Sequence, residues 1–190
     1  GGTLTVNGMN TSAGYNAGVS LASGGDQNTF YGYIAGTAVS TGDRNTCIGK
    51  EAGSTLSTGS DGVYIGYRAG RVTTVSNTVA VGASALRELT TGLYNVALGN
   101  SALKESTTAA CNTAVGYHSL RANTTADNNT AVGSEALKVN TTGDNNIAVG
   151  FNSLRLNTTA NDNTAVGYSA LSANTTGAQN TAVGGGALDA

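Results

Sequence analysis

Apolar and polar residues alternate over short stretches that recur along almost the whole chain, and each stretch ends at a glycine. We call these the marker glycines and number the slots of each repeat relative to them: Gly14, Gly32, Gly49, Gly66, Gly82, Gly99, Gly116, Gly133, Gly150, Gly167 and Gly184. Their spacings are 18, 17, 17 and 16 residues, followed by 17 in every later repeat. Slot −1 is always apolar and slot −3 is always Thr, Val or Ile, as in Thr113 and Val115. This alternation predicts one short β-strand in each repeat.

The repeat length decides the fold class. A period of 17 residues is too short for a helical hairpin repeat, which needs about 33 residues. It fits one coil of an all-β, parallel β-solenoid (a β-roll or β-helix). About eleven coils at roughly 4.8 Å each give a rod about 50 Å long. We place slots −1 and −3 inside the coil, and the Ala or Ser of slot +3 where chain segments approach closely.

Asparagine recurs at slot −4. Stacked coils would align these side chains so that their amides bond from coil to coil, as in other stacked β-structures. The prediction is a structural Asn ladder, which is uninterrupted over Asn95, Asn112, Asn129, Asn146, Asn163 and Asn180. Glycines at slot +10, such as Gly59 and Gly143, indicate a tight turn.

The repeats are of two types within one continuous solenoid. After a leader at residues 1–9, the coils of residues 10–77 carry Ala-Gly at slots +3 and +4, and those of 78–190 carry Ala or Ser followed by Leu. The Asn ladder is interrupted at Gly62 and Thr78, where one spacing is 16. We expect a change of cross-section near residues 70–90 and no linker.

Slot −2 is the basis for predicting an oligomer. If slots −1 and −3 point inward, slot −2 points outward. None of its residues is charged: Ser12, Phe30, Cys47, Tyr64, Ala80, Ala97, Ala114, Ala131, Ala148, Ala165 and Ala182. This predicts a seam packed against further copies in a homotrimer, since oligomers close by symmetry. The alternative is a monomeric solenoid with an alanine face.

Composition excludes several classes of protein. Lys and Arg number 9 against 11 Asp and Glu, whereas a nucleic-acid-binding protein carries a basic excess. No apolar run is long enough to insert into a membrane, and no signal peptide is visible. The chain begins Gly-Gly, which is typical of a processed product or a fragment.

The run Asn163–Leu171, followed by Asn174-Thr175-Thr176-Gly177, resembles the repeats of phage tail-fibre proteins, which often precede an endosialidase-type intramolecular chaperone. It is also similar to the β-roll heads of trimeric autotransporter adhesins. The resemblance is strong over residues 95–190 and looser over 10–94. It implies a parallel homotrimer on a virion tail or a cell surface, a role in host attachment, and no catalytic residues.

A basic ladder at slot +5 is the clearest charge pattern: Arg71, Arg87, Lys104, Arg121, Lys138 and Arg155. Stacked like charges repel unless counter-charges are near. Recurring aspartates such as Asp43 and Asp144 suggest pairing between chains or plain solvation; the functional alternative is a groove for an anionic cell-surface glycan.

Other candidate chemistry has a simpler structural interpretation. His118 is the only histidine, so we interpret it as an exposed spacer and predict no metal site, no cofactor and no catalytic triad. Cys47 and Cys111 are nearly four coils apart, too far for a disulfide. The Asp-Asn loops are turns in preference to Ca²⁺ ligands. The aromatic row at slot +1, which includes Tyr33 and Tyr67, is assigned to core or interface.

Paired threonines at slots +8 and +9 raise the question of ice binding, but adjacent residues of a strand point to opposite faces. Asn123, Asn140, Asn157 and Asn174 match glycosylation sequons but are interpreted as turn residues. The sequence therefore predicts a non-enzymatic fibre shaft or receptor-binding segment. The alternatives are a self-assembling extracellular filament or matrix protein and, more remotely, an ice-binding solenoid.

Overall fold

A computed structural model describes residues 4–7, 9–21 and 24–189. Its strands are β1 Leu4–Asn7, β2 Asn10–Ala13, β3 Thr29–Tyr31, β4 Thr46–Ile48, β5 Val63–Ile65, β6 Val79–Val81, β7 Val96–Leu98, β8 Thr113–Val115, β9 Thr130–Val132, β10 Ile147–Val149, β11 Thr164–Val166 and β12 Thr181–Val183. No helix occurs in these residues. The predicted leader lies partly outside the described residues.

The strands stack in chain order into one sheet. From β2 to β12 every pair is parallel and joins equivalent slots, so that Thr113 lies opposite Thr130 and Val115 opposite Val132. The eleven parallel strands enclose about ten turns, which confirms the predicted all-β, parallel β-solenoid. β1 differs because it pairs antiparallel with β2.

Hydrogen bonds between coils continue beyond the strands. Gly116 N donates to Leu98 O at 2.8 Å, His118 N to Asn100 O at 3.0 Å, and Asn128 N to Ala110 O at 3.2 Å. Each coil is therefore tied to its neighbours around most of its perimeter, and strands contact only adjacent strands. The rod is held together mainly by backbone pairing, which its few large side chains could not replace.

Left-handed backbone conformations close each coil. The marker glycine Gly116 has φ +135°, and a Cβ there would lie 2.5 Å from the carbonyl oxygen of Gly133. Slots +2 and +4 also have positive φ, although most of them carry side chains, as at His118 (φ 56°) and Leu120 (φ 47°). A left-handed non-glycine residue costs roughly 1–2 kcal/mol. The repeat tolerates this cost at Leu120 because the leucine side chain is fully buried.

The structure reverses our assignment of the inner and outer faces of the strand. Slot −2 is buried: Ala114 and Ala131 have no exposed surface. Slots −1 and −3 lie on the outside, with Val132 37% and Ile147 42% exposed. The predicted seam of slot −2 was therefore wrong, because that row forms the core of each coil. The interior is too narrow for two rows of branched side chains from one strand.

The core is filled in two complementary ways. In the first coils slot +4 is glycine and a large residue stands at slot −2 of every second coil, as in Phe30 with Gly36, where a Cβ on the glycine would overlap the phenylalanine ring. In the later coils slot −2 is alanine and slot +4 is a buried leucine, as in Ala114 with Leu120.

The core changes from the first kind of side-chain filling to the second between β5 and β6. The strands remain in register there, with Tyr64 opposite Ala80. At the junction it is the side-chain filling that changes, while the sheet continues without interruption.

Two columns of buried asparagine run beside this core. At slot −4, the side-chain oxygen of Asn129 accepts a bond from Asn146 N at 2.9 Å, and the same bond links each successive pair from Asn95 to Asn180. A second column at slot +7 comprises Asn123, Asn140, Asn157 and Asn174, joined by amide-to-amide bonds of 2.9 to 3.2 Å.

These asparagines lie in turns, as Asn123 does by donating from Nδ2 to Ala126 O at 2.9 Å, and the first three are completely buried. The same burial makes Asn123, Asn140 and Asn157 inaccessible as glycosylation sites.

Candidate binding surfaces

The outer sheet face, formed by slots −3 and −1 of β2 to β12, is an uncharged strip along the rod. Slot −1 carries Ala13, Tyr31, Ile48, Ile65, Val81, Leu98, Val115, Val132, Val149, Val166 and Val183, and slot −3 carries only Thr, Val or Ile. At about 50 Å by 10 Å, the strip has the size of the largest surface patch of a typical monomer, which is often functional.

The basic ladder of slot +5 is largely neutralised within the chain. Arg71 contacts Glu51 at 3.1 Å, and Arg121 contacts Glu105 at 2.9 Å. Lys138 and Arg155 both form ion pairs with Glu135 at 2.9 Å, and Arg87 contacts its neighbour Glu88. Within the described residues, only Lys104 of this ladder has no carboxylate within 4.0 Å. The counter-charges are glutamates of the same chain, so the ladder presents less free charge than its sequence indicates.

Glu51 is the most enclosed of these carboxylates, since its side chain is only 11% exposed. It accepts a bond from Arg68 Nε at 2.8 Å, and Lys50 lies 3.8 Å away. The hydrogen bond from Arg68 and the surrounding positive charges hold the pKa of Glu51 below its ordinary value, against the opposing effect of burial.

Replacing Glu51 by glutamine should lower stability at neutral pH and have little effect in acid. A carboxyl whose pKa is lowered by folding stabilises the protein above its unfolded pKa and loses that contribution as the pH falls through its folded pKa. The loss in the free energy of unfolding at pH 7 should be at most about 1 kcal/mol. This loss should become smaller as the pH falls below 4.5. Thermal unfolding of both proteins across pH measures it. A loss that does not change with pH would contradict this account.

An aromatic row occupies slot +1, and it is exposed instead of lying in the core. Tyr15 stacks on Tyr33 with ring centroids 5.5 Å apart, and Phe151 stacks on Tyr168 at 5.6 Å. Tyr33 is 49% exposed and Tyr67 44%. The core part of the assignment to core or interface was therefore wrong, and the interface part stays a prediction.

The Asp-Asn turns bond to the backbone of adjacent coils. Asp127 Oδ1 accepts from Ala110 N at 2.7 Å, and Asp144 Oδ1 accepts from Asp127 N at 2.8 Å. Asp61 pairs instead with Arg44 at 2.6 Å. These carboxylates close the turns, and across the described residues no three His, Cys, Asp or Glu side chains converge as a metal site would require.

His118 is more enclosed than the exposed spacer that we expected. Its ring stacks on Tyr117 at 3.7 Å, and its buried Nδ1 has no hydrogen-bond partner among the described residues. Burial, together with the positive charges of Arg121, Lys138 and Lys104, lowers the pKa of His118 below its ordinary value.

The cysteines are both free, as predicted. Cys47 is buried and Cys111 is exposed, and burial raises the pKa of the Cys47 thiol to about 12. The Cys47 thiol is therefore protonated and unreactive.

The two threonines of a pair differ in hydrogen bonding and exposure. In the pairs from Thr90 to Thr158 the first threonine donates its hydroxyl to the next coil, as Thr107 Oγ1 does to Thr124 O at 3.1 Å. The second, such as Thr108, is exposed.

The described residues contain no helix long and apolar enough to cross a membrane.

Comparison of the chain with protein-family models, with curated proteins and with solved structures finds no significant match.

Proposed function

We propose that this protein is a homotrimeric fibre shaft or receptor-binding segment, of the kind found in phage tail fibres and surface adhesins, that mediates attachment. The observation that carries the proposal is the outer sheet face. It is continuous and uncharged from β2 to β12, and its side chains are partly or well exposed, up to 64% at Tyr31 and 72% at Val183. The sequence resemblance to trimeric fibre and adhesin repeats supports the number of chains.

The periodicity of this face favours a second copy of the same chain as its partner. Side chains recur every coil, about 4.8 Å apart, over a strip about 50 Å long. A partner that contacts the whole strip needs the same spacing, and an identical solenoid has it. The strip is roughly 10 Å wide, so its footprint is of the same order as the about 800 Å² per partner of a stable interface.

Trimerisation would therefore use slots −1 and −3, in place of the slot −2 seam expected from the sequence. Closing three such faces around a common axis removes the apolar strip from water and leaves the charged and aromatic slots outside. The resulting fibre repeats each surface group on every chain, so weak contacts with a receptor add through multivalency.

Light scattering over a hundred-fold concentration range tests the assembly. We expect a constant mass of three times 18.7 kDa. A variant with Val132→Glu and Val149→Glu should fall to 18.7 kDa, because buried unpaired charges are strongly unfavourable at an apolar interface.

The matched control is Thr125→Glu with Thr142→Glu, which places the same charges at exposed positions of slot +9 and should remain trimeric. A wild-type protein that is a stable monomer would overturn the trimer. A mass that climbs with concentration would favour an open filament, although β1 covers the edge of β2 and opposes stacking at that end.

One observation favours ice binding as a second candidate. Strands β8, β9, β11 and β12 all read Thr-Ala-Val, so part of the outer sheet face carries a threonine rank beside a valine rank. The bulky and unequal Tyr31, Ile48 and Leu98 in the same row suit a protein partner better than a flat lattice. A monomer that shows thermal hysteresis would favour this second function.

A further inference from the structure

The described residues include a surface where positive charge exceeds its internal counter-charge and lies beside exposed aromatic rings. It spans three consecutive coils, and we call it the Tyr-Lys cluster: Tyr33, Lys50, Glu51, Tyr67, Arg68 and Arg71. It contains three cations and one carboxylate, whereas the basic ladder of the later coils is matched more closely by glutamates.

The ammonium group of Lys50 lies between two tyrosine rings. Its Nζ is 5.6 Å from the ring centroid of Tyr33 and 5.9 Å from that of Tyr67. Arg68 Cζ lies 4.9 Å from the same Tyr67 centroid. Cation–π attraction of this kind holds a cation against an aromatic face, so rings and charges keep a fixed arrangement before any ligand arrives.

The single acid of the cluster is withdrawn from the surface, while the cations stay accessible. The side chain of Glu51 is 11% exposed, against 54% for Lys50 and 44% for Arg71. Glu51 therefore orients Arg68 and Arg71 from beneath, and an approaching ligand meets Lys50 and the two tyrosine rings first.

We propose that the Tyr-Lys cluster binds an acidic saccharide, a sugar chain bearing carboxylates. Tyr33 stacks on Tyr15 and faces Lys50 on its other side, so the rings offer a sugar their exposed apolar edges, and their hydroxyls offer hydrogen bonds. Lys50 and the arginines supply charge-assisted bonds to a carboxylate. Tyr33 and Tyr67 are two coils, or about 10 Å, apart along the rod, so the site accommodates more than one sugar unit.

Charge elsewhere on the rod selects against extended polyanions such as nucleic acid. The whole chain carries a net charge of −2, and aspartates such as Asp43 and Asp61 line the turn slots of the same coils. Long-range attraction of a phosphate backbone needs a broad basic surface, whereas a local excess of positive charge suits a few carboxylates.

This inference rests on the proposed attachment function and deepens it, since it identifies the class of receptor and places the glycan site at the Tyr-Lys cluster, which shares only Arg71 with the basic ladder. Isothermal titration calorimetry of the full chain with a galacturonic acid hexamer tests it. We expect measurable binding to the hexamer, weaker binding to neutral maltohexaose, and weaker binding to poly-glutamate, which carries carboxylates without sugar rings.

Two variants measure separately what the tyrosine rings and the charge of Lys50 contribute to saccharide binding. Tyr33→Ala with Tyr67→Ala should weaken binding of the galacturonic acid hexamer by at least about tenfold, equivalent to about 1.4 kcal/mol. Lys50→Met, which keeps the length of the side chain, should reduce the preference for the galacturonic acid hexamer over maltohexaose.

The control is Phe151→Ala with Tyr168→Ala, which removes a stacked pair from the same slot outside the cluster and should leave binding unchanged. Equal binding of poly-glutamate, or unchanged binding by the double tyrosine variant, would overturn the inference.

Light scattering on the same samples distinguishes this inference from the proposed trimer. A monomer that still binds the galacturonic acid hexamer through the tyrosines would overturn the trimer and support the saccharide site. A trimer that does not bind it would overturn the saccharide site alone.

Discussion

Replacing Gly36 by leucine should severely destabilise the first coils, and adding Phe30→Ala to the same chain should restore much of the loss. A Cβ at Gly36 would overlap the Phe30 ring, and Phe30 is completely buried. Overpacking of this kind costs typically about 1–3 kcal/mol or more. Phe30→Ala alone should cost about 3–5 kcal/mol, because it leaves a cavity.

The double variant converts this coil to the type found later in the chain, where alanine at slot −2 faces leucine at slot +4. The backbone accepts the change, since Gly36 has φ 55° and the slot +4 leucines have φ of 47° to 54°. Chemical denaturation of the four proteins forms a double-mutant cycle. Strictly additive losses would show that the two slots do not share one volume.

The second large effect concerns the buried asparagine column. Asn146→Ala should destabilise the protein by about 1–3 kcal/mol, because a buried backbone amide loses its partner. This is the amide of Asn163, which donates to Asn146 Oδ1 at 3.0 Å. The carbonyl of Ala160 loses the bond from Asn146 Nδ2 at 2.8 Å but keeps the one from Asn157 Nδ2 at 3.0 Å.

Thr142→Ala, in the same coil but exposed, provides the control and should change the free energy of unfolding by less than about 0.5 kcal/mol. Denaturant titration followed by circular dichroism measures both variants. Similar small losses for the two would mean that water replaces the amide and that the column contributes little to stability.

The period of the sequence was sufficient to predict the fold, because a repeat of this length leaves few ways to stack short strands. It did not predict which face of the strand is buried. Val115 and Val132 are more hydrophobic than Ala114, so hydrophobicity alone assigned the valines to the interior. The limiting quantity is the width of the coil, which admits one small side chain from the strand and one leucine from the opposite wall.

A signal for the correct assignment is present in the repeats. The aromatic residues of slot −2, Phe30 and Tyr64, occur where slot +4 is glycine, and slot −2 is always alanine where slot +4 is leucine, as in Ala97 with Leu103. Two slots that exchange volume in this way share one space. Comparing repeats with one another therefore identifies the interior better than the character of any single slot.

The candidate sites were less accessible to sequence reasoning. The basic ladder is obvious by its period, but its partners are scattered, with Glu51 and Glu135 at slot +2 and Glu105 at slot +6, so their neutralising effect emerges only from the side-chain contacts. The Tyr-Lys cluster was not predicted, because Lys50 interrupts the aromatic row and looks like an irregularity. In space that interruption places the charge between two rings.

Each coil contacts only the coils next to it, so the length of this rod can change by whole coils. Because each strand touches only the strands beside it, a segment running from one marker glycine to the next can be gained or lost while the ends of the cut still meet equivalent slots. Unequal crossing-over between repeated gene segments would lengthen or shorten the rod by about 4.8 Å per coil. Reach could then evolve independently of the cross-section.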